Sequence, residues 1–306
     1  MPAAEIYRRQ AALLIRVIPL VAKEPCFALK GGTAINLFVR NMPRLSVDLD
    51  LTYLPIADRI TSLQAIDDAM RRLEKIIETG IPGARVTSTA NNEHYVTRLL
   101  LRANDVQIKI EVTPVLRGCV YAPSPMSVSK EVEEQFGFAE IEVVSFADLY
   151  AGKIVAALDR QHPRDLFDVR DLLANEGISG KLRKAFIVYL VSHNRPMSEI
   201  LEPKRLDIAP EFERGFEGMT ENPVTLNDLL QAREDLIGII VGKMPEEHRR
   251  FLISIKRGEP DWALLDLPGV EDLPAVRWRL ENLAKLDKTK RDAMIARLSE
   301  VLDIAN

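Results

Sequence analysis

Cysteine and histidine are scarce in this 306-residue chain, and their scarcity excludes several classes of protein. The two cysteines, Cys26 and Cys119, are too few for a disulfide framework. Neither they nor the four histidines show the spacing of a zinc site. The sequence therefore predicts no disulfide scaffold and no structural zinc, and a reducing cytoplasm is the compartment that we expect.

An excess of positive charge is also missing. The formal net charge is −4, so no global positive field attracts nucleic acid, and any RNA contact requires a local basic patch. Candidates for such a patch are Lys181, Arg183, Lys184, Arg249, Arg250, Lys256 and Arg257. Clusters of this kind are also typical of ordinary solvated helix faces.

Long apolar runs are absent, apart from residues 11–22, which follow Arg8 and Arg9 and imitate a secretory signal. Arg16 interrupts this run, and no small-residue cleavage site follows it. The apolar residues of one helical stripe are Ile6, Leu13, Leu14 and Val17. This pattern predicts an amphipathic helix, and no segment of the sequence is expected to enter a membrane.

Alternating apolar and polar residues in the first half of the chain predict strands. The expected strands are residues 26–29, 46–53, 84–90, 94–102 and 106–113. A helix is expected at residues 34–40, and a second one, which Thr61 or Ser62 caps, continues to Thr79. Asn104 and Asp105 are expected to form a turn.

The pattern changes at Ser145, after which helical signals follow one another. The expected helices are residues 145–160 and 163–177, one that Ser179 caps, and one that Thr225 caps with Asp228 and that ends at Gly242. Three more are expected at residues 246–256, 274–286 and 289–304. We therefore predict an α+β fold. Residues 1–144 form a lobe with a mixed sheet and helices, and residues 145–306 form an α-helical lobe.

Two carboxylates lie on one face of the second predicted strand. Asp48 and Asp50 are two residues apart, so both project to the same side, whereas Val47, Leu49 and Leu51 face the core. Carboxylates that share a face repel each other unless a cation compensates them, and hard oxygen ligands suit Mg²⁺. A solvated edge strand would show the same pattern.

A glycine turn stands before these carboxylates in the sequence. Gly31, Gly32 and Thr33 lie between a predicted strand and a predicted helix, where bare backbone can approach a phosphate and Thr33 can add a hydroxyl contact. An ordinary tight turn has the same composition. The combination of this turn with the Asp-x-Asp strand is more specific than either feature.

The segment from Leu29 to Thr33, followed by the segment from Arg44 to Leu51, resembles the polymerase β-like nucleotidyltransferases, and more narrowly the AbiEii/AbiGii toxin family. The resemblance implies a nucleotidyltransferase core in residues 1–144. It also implies that Asp48, Asp50 and a third carboxylate on a later strand bind two Mg²⁺ ions and an NTP. Gly31, Gly32, Thr33 and Ser46 would contact the nucleotide.

Glu111 is the best match for the third carboxylate. It stands between Ile110 and Val112, the hydrophobic context that the superfamily uses, and it shares a strand face with Lys109. Asp105 is the alternative, although its position is predicted to be a turn.

The resemblance continues in residues 145–170, which are similar to the second conserved block of the toxin family. It implies that Lys153 contacts the nucleotide phosphates and that Asp165 is a further catalytic acid, so that residues 145–306 complete the active-site cleft. Without the resemblance, these charges would indicate a salt-bridged helical surface. Gly152 within the same helix suggests a close approach there.

The resemblance implies that NMP is transferred from an NTP to an RNA acceptor, of which the tRNA 3′ end is the first to test. The protein would be the toxin of a toxin–antitoxin pair, with a separate antitoxin as its partner. The alternatives are transfer to a small hydroxyl compound such as an aminoglycoside, transfer to a protein side chain, and a catalytically silent nucleotide-binding module.

Overall fold

A computed structural model of the protein describes residues 3–304, which divide into two compact units. The first unit extends to Ser145 and includes Met219–Asn222, and the second contains Phe146–Gly218 and the chain from Pro223 onward. Throughout the part of the chain that is described, every helix is too short or too polar to cross a membrane.

The first unit is built on one mixed sheet of seven strands. The strands are β1 (Phe27–Lys30), β2 (Asp48–Tyr53), β3 (Arg85–Ala90), β4 (Val96–Ala103), β5 (Val106–Val112), β6 (Ser124–Ser127) and β7 (Glu140–Val143). They lie in the order β3-β4-β5-β2-β1-β7-β6. At the centre of the sheet, β2 is antiparallel to β1 and parallel to β5.

Strand β5 has one buried face and one more open face, as its alternation predicts. The buried residues are Val106, Ile108, Ile110 and Val112, each at most 7% exposed, and the residues of the other face are Gln107, Lys109 and Glu111. Burial of the apolar face excludes water from the core, and the polar residues therefore all lie on the opposite side of the sheet.

Two long helices pack on this sheet. Helix α1 (Ala3–Val21) contacts β5 and β7, and helix α3 (Arg59–Gly80) contacts β3 and β4. The amphipathic prediction for α1 is confirmed by buried Leu14 and Val17, although Ile6 is 39% exposed and lies outside the buried stripe. The predicted cap of α3 was wrong, because Asp58 accepts a hydrogen bond from the Thr61 amide at 3.0 Å.

The glycine turn begins a short helix, α2 (Gly31–Ala34), which continues as a π-helical turn at Ile35–Val39. The helix expected at residues 34–40 is therefore present but is wound differently. Asn36 fixes it, because its side-chain amide donates to the Gly32 carbonyl at 2.7 Å and accepts from the Arg44 amide at 3.3 Å. Such π-turns are frequent at functional sites.

The second unit is helical. Helix α4 (Lys130–Phe136) still belongs to the first unit. The helices of the second unit are α5 (Phe146–Asp159), α6 (Pro163–Asn175), α7 (Gly180–Ser192), α8 (Met197–Leu201), α9 (Ala209–Gly215), α10 (Leu226–Ile237), α11 (Glu246–Arg257), α12 (Pro274–Ala284) and α13 (Lys288–Leu302). Helix α5 packs against α6 and α7. The caps expected at Ser179 and Thr225 are confirmed.

Candidate active site

The predicted carboxylates lie on neighbouring strands at the centre of the sheet. Asp48 and Asp50 belong to β2, and the parallel register with β5 places Asp48 opposite Lys109 and Asp50 opposite Glu111. The antiparallel register with β1 places Lys30 opposite Asp50. Since paired residues project to the same face, all five side chains share one face of the sheet.

Gly31 lies directly against the carboxylate of Asp50. Its backbone has φ +76°, and a Cβ atom there would come within 2.5 Å of the Asp50 Oδ2. Any other residue would strain the backbone and displace the carboxylate. The glycine of the motif is therefore required by the position of Asp50.

Gly32 is covered by the loop that precedes β2. A Cβ atom on Gly32 would lie 2.7 Å from the Arg44 Nη2 and 2.9 Å from the Ser46 Oγ. The loop is held by the segment at 219–222, because the Leu45 amide donates to the Met219 carbonyl and the Glu221 amide donates to the Pro43 carbonyl, each at 3.1 Å.

Thr33 joins the turn to the strand that carries the carboxylates. Its hydroxyl donates to the Asp48 backbone carbonyl at 2.5 Å and lies 3.1 Å from the Ser46 hydroxyl. Thr33 is fully buried, whereas Ser46 is partly exposed. Of the two hydroxyls, that of Ser46 is therefore the more accessible to a ligand.

Basic side chains surround Glu111. The Arg98 Nη2 lies 2.6 Å from its Oε1, and the Lys109 Nζ lies 3.0 Å from its Oε2. Burial alone would raise the pKa of Glu111, but the hydrogen bonds and charges of Arg98 and Lys109 outweigh burial and lower that pKa below its usual value. Glu111 is therefore ionised at neutral pH.

Lys30 has the opposite balance. Burial lowers the pKa of its ammonium, and the charges of Asp50 and Glu111 counteract that effect without cancelling it. A lysine in this position is sensitive to any further positive charge that is placed beside Asp50.

The donor chemistry of this face fits Mg²⁺, which prefers carboxylate oxygens and retains several waters. Asp48 and Asp50 supply such oxygens at one end of β2, and the Asp48 side chain is 44% exposed. In the described part of the chain no three side chains are already arranged as a complete set of ion ligands. Lys109 lies between two of the predicted carboxylates, because it contacts both Asp48 and Glu111.

Asp105, the alternative third carboxylate, lies in the turn between β4 and β5. Asn104 and Asp105 have φ values of +48° and +61°, as in a two-residue hairpin turn. Asp105 precedes Glu111 by six residues, which corresponds to about 20 Å along an extended strand. It therefore lies far from the residues that pair with Asp48 and Asp50.

The predicted residues of the second unit form a buried charge cluster between α5 and α6. Lys153 Nζ lies 2.7 Å from the Asp165 Oδ1 and 3.0 Å from the Asp168 Oδ2, and Arg160 Nε lies 2.6 Å from the Asp165 Oδ2. Burial would raise the pKa of Asp165, but Lys153 and Arg160 outweigh it and hold that pKa well below its usual range.

Gly152 has a neighbour that accounts for its lack of a side chain. A Cβ atom there would lie 3.3 Å from the Tyr189 ring on α7, and the Tyr189 hydroxyl contacts Asp148 at 3.3 Å. The close approach expected at Gly152 is therefore observed, and the group that approaches is an aromatic side chain of the next helix.

The basic residues proposed as an RNA patch are only partly available. Arg183 and Lys256 are buried, and Arg183 donates to the carbonyls of Ile239 and Ile240. Arg249 likewise donates to the backbone carbonyls of Val241 and Met244. The exposed members of the set are Lys181, Arg250 and Arg257.

A comparison of the sequence with protein families gives a match over residues 12–282 to the family described as "Nucleotidyl transferase AbiEii toxin, Type IV TA system". The match covers most of the chain. The protein belongs to the AbiEii family. It is thus a nucleotidyltransferase toxin of a type IV toxin–antitoxin system, with an NTP as substrate and an antitoxin as partner.

Among solved structures, this AbiEii toxin is similar to MenT4, a nucleotidyltransferase toxin from Mycobacterium tuberculosis H37Rv. The superposition has a TM-score of 0.62 and 14% sequence identity, and it covers 98% of this chain and 95% of MenT4. The likeness confirms the α+β nucleotidyltransferase fold. No match was found among curated protein sequences.

Sequence reasoning did not identify three basic residues near the candidate site, which are Lys30, Arg44 and Arg98. Arg98 has a signal in the pattern of β4, where it is exposed between buried Val96 and Leu99. Lys30 has a weaker signal, its place after three buried residues of β1. Arg44 has none, since it lies in a loop and is buried by contacts that are distant in sequence.

Proposed function

We propose that this AbiEii toxin transfers a nucleoside monophosphate from an NTP to an RNA acceptor in the cytoplasm, and that the tRNA 3′ end is its acceptor. The observation that carries the proposal is the contact of Gly31 with the Asp50 carboxylate, because it brings the glycine turn and the acidic strand face together. A triphosphate at the turn would lie beside Asp48 and Asp50.

The proposed ion ligands are Asp48, Asp50 and Glu111, which would hold two Mg²⁺ ions. Bound Mg²⁺ would neutralise the triphosphate and lower the pKa of the attacking hydroxyl. Thr33 fixes the backbone of Asp48 through its hydrogen bond to that residue's carbonyl. Gly31, Gly32 and Ser46 are proposed to contact the phosphates, Ser46 through its partly exposed hydroxyl.

Lys153 and Asp165 are proposed to take part in transfer from the second unit, as the family resemblance implies. Lys153 is well suited to hold a fixed position, because Asp165 and Asp168 bind its ammonium from two sides. We propose that this fixed ammonium would contact phosphate oxygens of the bound nucleotide, in competition with the two carboxylates that hold it.

The experiment is to incubate the protein with each of the four labelled NTPs in turn, with Mg²⁺ and either total RNA or no RNA, and to size the labelled product. We expect label in a band of tRNA length with wild-type protein and none with Asp48→Asn. Label in a small compound or in protein would support the alternative acceptors. No labelled product with any NTP would contradict the proposal.

A further inference from the structure

Lys109 occupies the position between two of the proposed ion ligands. Its ammonium lies 3.0 Å from the Glu111 Oε2 and 3.6 Å from the Asp48 Oδ2. The register fixes this arrangement, because Lys109 pairs with Asp48 across the strands and precedes Glu111 by two residues on the same face. Lys109 therefore bridges carboxylates on two different strands.

A basic side chain stands opposite each of the three acids. Lys109 pairs with Asp48, Lys30 with Asp50 and Arg98 with Glu111. The strength with which carboxylates bind a divalent ion depends on the number of uncompensated charges among the ligands. These basic neighbours therefore reduce the attraction of the three acids for such an ion.

We propose that the Lys109 ammonium occupies the position of a divalent ion between Asp48 and Glu111 until the nucleotide binds. This inference rests on the proposed function in one respect, which is that Asp48, Asp50 and Glu111 bind an ion. Lys109 is a positioning residue in this scheme. Entry of the ion requires the ammonium to leave Asp48 and Glu111.

The side chain of Lys109 is suited to this movement. It is 31% exposed, and a lysine ammonium on a flexible stem can turn to new acceptors more easily than a guanidinium that is fixed by two parallel hydrogen bonds. The triphosphate supplies acceptors and negative charge together. The ion and the nucleotide are therefore expected to bind cooperatively, and the free protein is expected to bind the ion weakly.

The test measures the binding of Mn²⁺ alone to the full-length protein, by the electron paramagnetic resonance signal of free Mn²⁺, without nucleotide or RNA. We expect Lys109→Met to bind Mn²⁺ about tenfold more tightly than wild type. This is the gain expected when one positive charge is removed from the neighbourhood of a partly exposed ion site. Lys109→Arg keeps the charge and should stay near the wild-type affinity. Lys130→Met is the matched control, because it removes one exposed lysine from helix α4.

The gain should also be located at the acidic strand. Adding Asp50→Asn to Lys109→Met is expected to return the affinity to the wild-type value or below. A Lys109→Gln variant gives the same measurement with a polar residue of similar length, and circular dichroism confirms that each variant is folded. Equal Mn²⁺ affinity in wild type, Lys109→Met and Lys109→Gln would overturn the inference.

This outcome is separable from failure of the proposed function. A tighter Mn²⁺ site in Lys109→Met, without label transfer by wild type to any acceptor, would support the inference and reject the proposed reaction. Transfer by wild type together with unchanged Mn²⁺ affinity in the Lys109 variants would support the reaction and reject the role of Lys109.

Discussion

Gly31 is the residue at which backbone conformation and the chemistry of the site depend on each other most directly. Its φ of +76° lies in the left-handed region, which costs an L-residue about 1–2 kcal/mol. The Asp50 carboxylate also fills the space that a side chain would occupy. A substitution at Gly31 therefore has two effects, one on stability and one on the carboxylate.

Gly31→Ala and Gly83→Ala separate these effects. Gly83 has almost the same φ of +75°, but no atom lies within 4 Å of the position of its Cβ. We expect both variants to lose about 1 kcal/mol of unfolding free energy, measured by hydrogen exchange of the first-unit strands. Only Gly31→Ala should lose nucleotidyl transfer. The rate should fall by about tenfold or more, as it does when a catalytic group is misplaced.

Equal loss of transfer in Gly31→Ala and Gly83→Ala would contradict this account, because it would mean that backbone strain alone reduces activity. Transfer by Gly31→Ala at the wild-type rate would show that the Asp50 carboxylate tolerates displacement.

Among the secondary-structure elements, α5 and α6 share a buried charge cluster. Lys153 is 8% exposed and Asp165 is 1% exposed, so loss of either one leaves an uncompensated buried charge that lowers the stability of the fold. Arg160 also binds Asp165 but is 64% exposed. The two basic residues should therefore differ greatly in their contribution to stability.

We expect Lys153→Ala to lower the unfolding free energy of the second unit by about 3–5 kcal/mol, since two buried carboxylates lose their shared cation. Arg160→Ala should lower it by about 1 kcal/mol or less, as for an exposed ion pair. Tryptophan fluorescence is the measurement, because Trp262 and Trp278 both lie in the second unit.

Similar losses in Lys153→Ala and Arg160→Ala would show that burial does not govern the cluster. Transfer by Lys153→Ala has to be assayed well below its melting temperature. Undiminished transfer there would limit Lys153 to a structural role.

The stability that Asp165 contributes to the α5–α6 pair depends on pH. Burial would raise the folded pKa of Asp165, but Lys153 and Arg160 outweigh burial. They hold that pKa below the unfolded value of about 3.9. The ionised carboxylate therefore contributes stability above about pH 4, and that contribution is lost as the pH falls through the folded pKa. The difference in unfolding free energy between wild type and Asp165→Asn should be constant from about pH 6 to 8 and should shrink below roughly pH 4.

Urea unfolding that is followed by tryptophan fluorescence at several pH values gives this difference directly. A difference that grows as the solution is acidified would have the wrong sign and would contradict the assignment of Asp165 as an ionised partner of Lys153.

Elements with a strong period were predictable from the sequence, and elements without one were not. Strand β5 and helices α6, α10 and α11 have regular patterns or caps, and all were expected within a few residues. The short elements β6, β7, α4, α8 and α9 were not expected. Each has at most seven residues, so its stability comes from packing with distant segments.

The site shows the same limit. The positions of Asp48, Asp50 and Glu111 on strand faces follow from alternation, and the structure places them on adjacent strands. Lys109 also shares a face with Glu111 by alternation, but the contact of Arg98 with Glu111 depends on the register of β4 with β5, which no local pattern contains. Their roles in binding an ion and a nucleotide stay predictions.

For the whole molecule, membership of a toxin family predicts a growth phenotype that depends on one carboxylate. Expression of the chain without its antitoxin should arrest growth, and expression of Asp48→Asn should not. The Asp48 side chain is 44% exposed and its ion pair with Lys109 is 3.6 Å long, so Asp48→Asn should leave the melting temperature nearly unchanged. Colony counts after induction and thermal melting of the purified variant measure the two quantities.

Growth arrest by Asp48→Asn at the wild-type level would contradict a catalytic origin of toxicity. An unfolded Asp48→Asn variant would contradict the expectation that activity and stability separate at this residue. Asp58→Asn is a suitable control, because Asp58 lies at the cap of α3.

The pairing of residues 43–45 with Met219–Asn222 makes completion of the first unit depend on a segment that is translated late. The ribosome completes residue 145 well before residue 222, and at bacterial rates the interval is roughly 4 to 15 seconds. During that interval the loop that carries Arg44 over Gly32 has no partner segment. A chain that is truncated before residue 219, after more than two-thirds of its length, would therefore lack the segment that fixes the loop at the glycine turn.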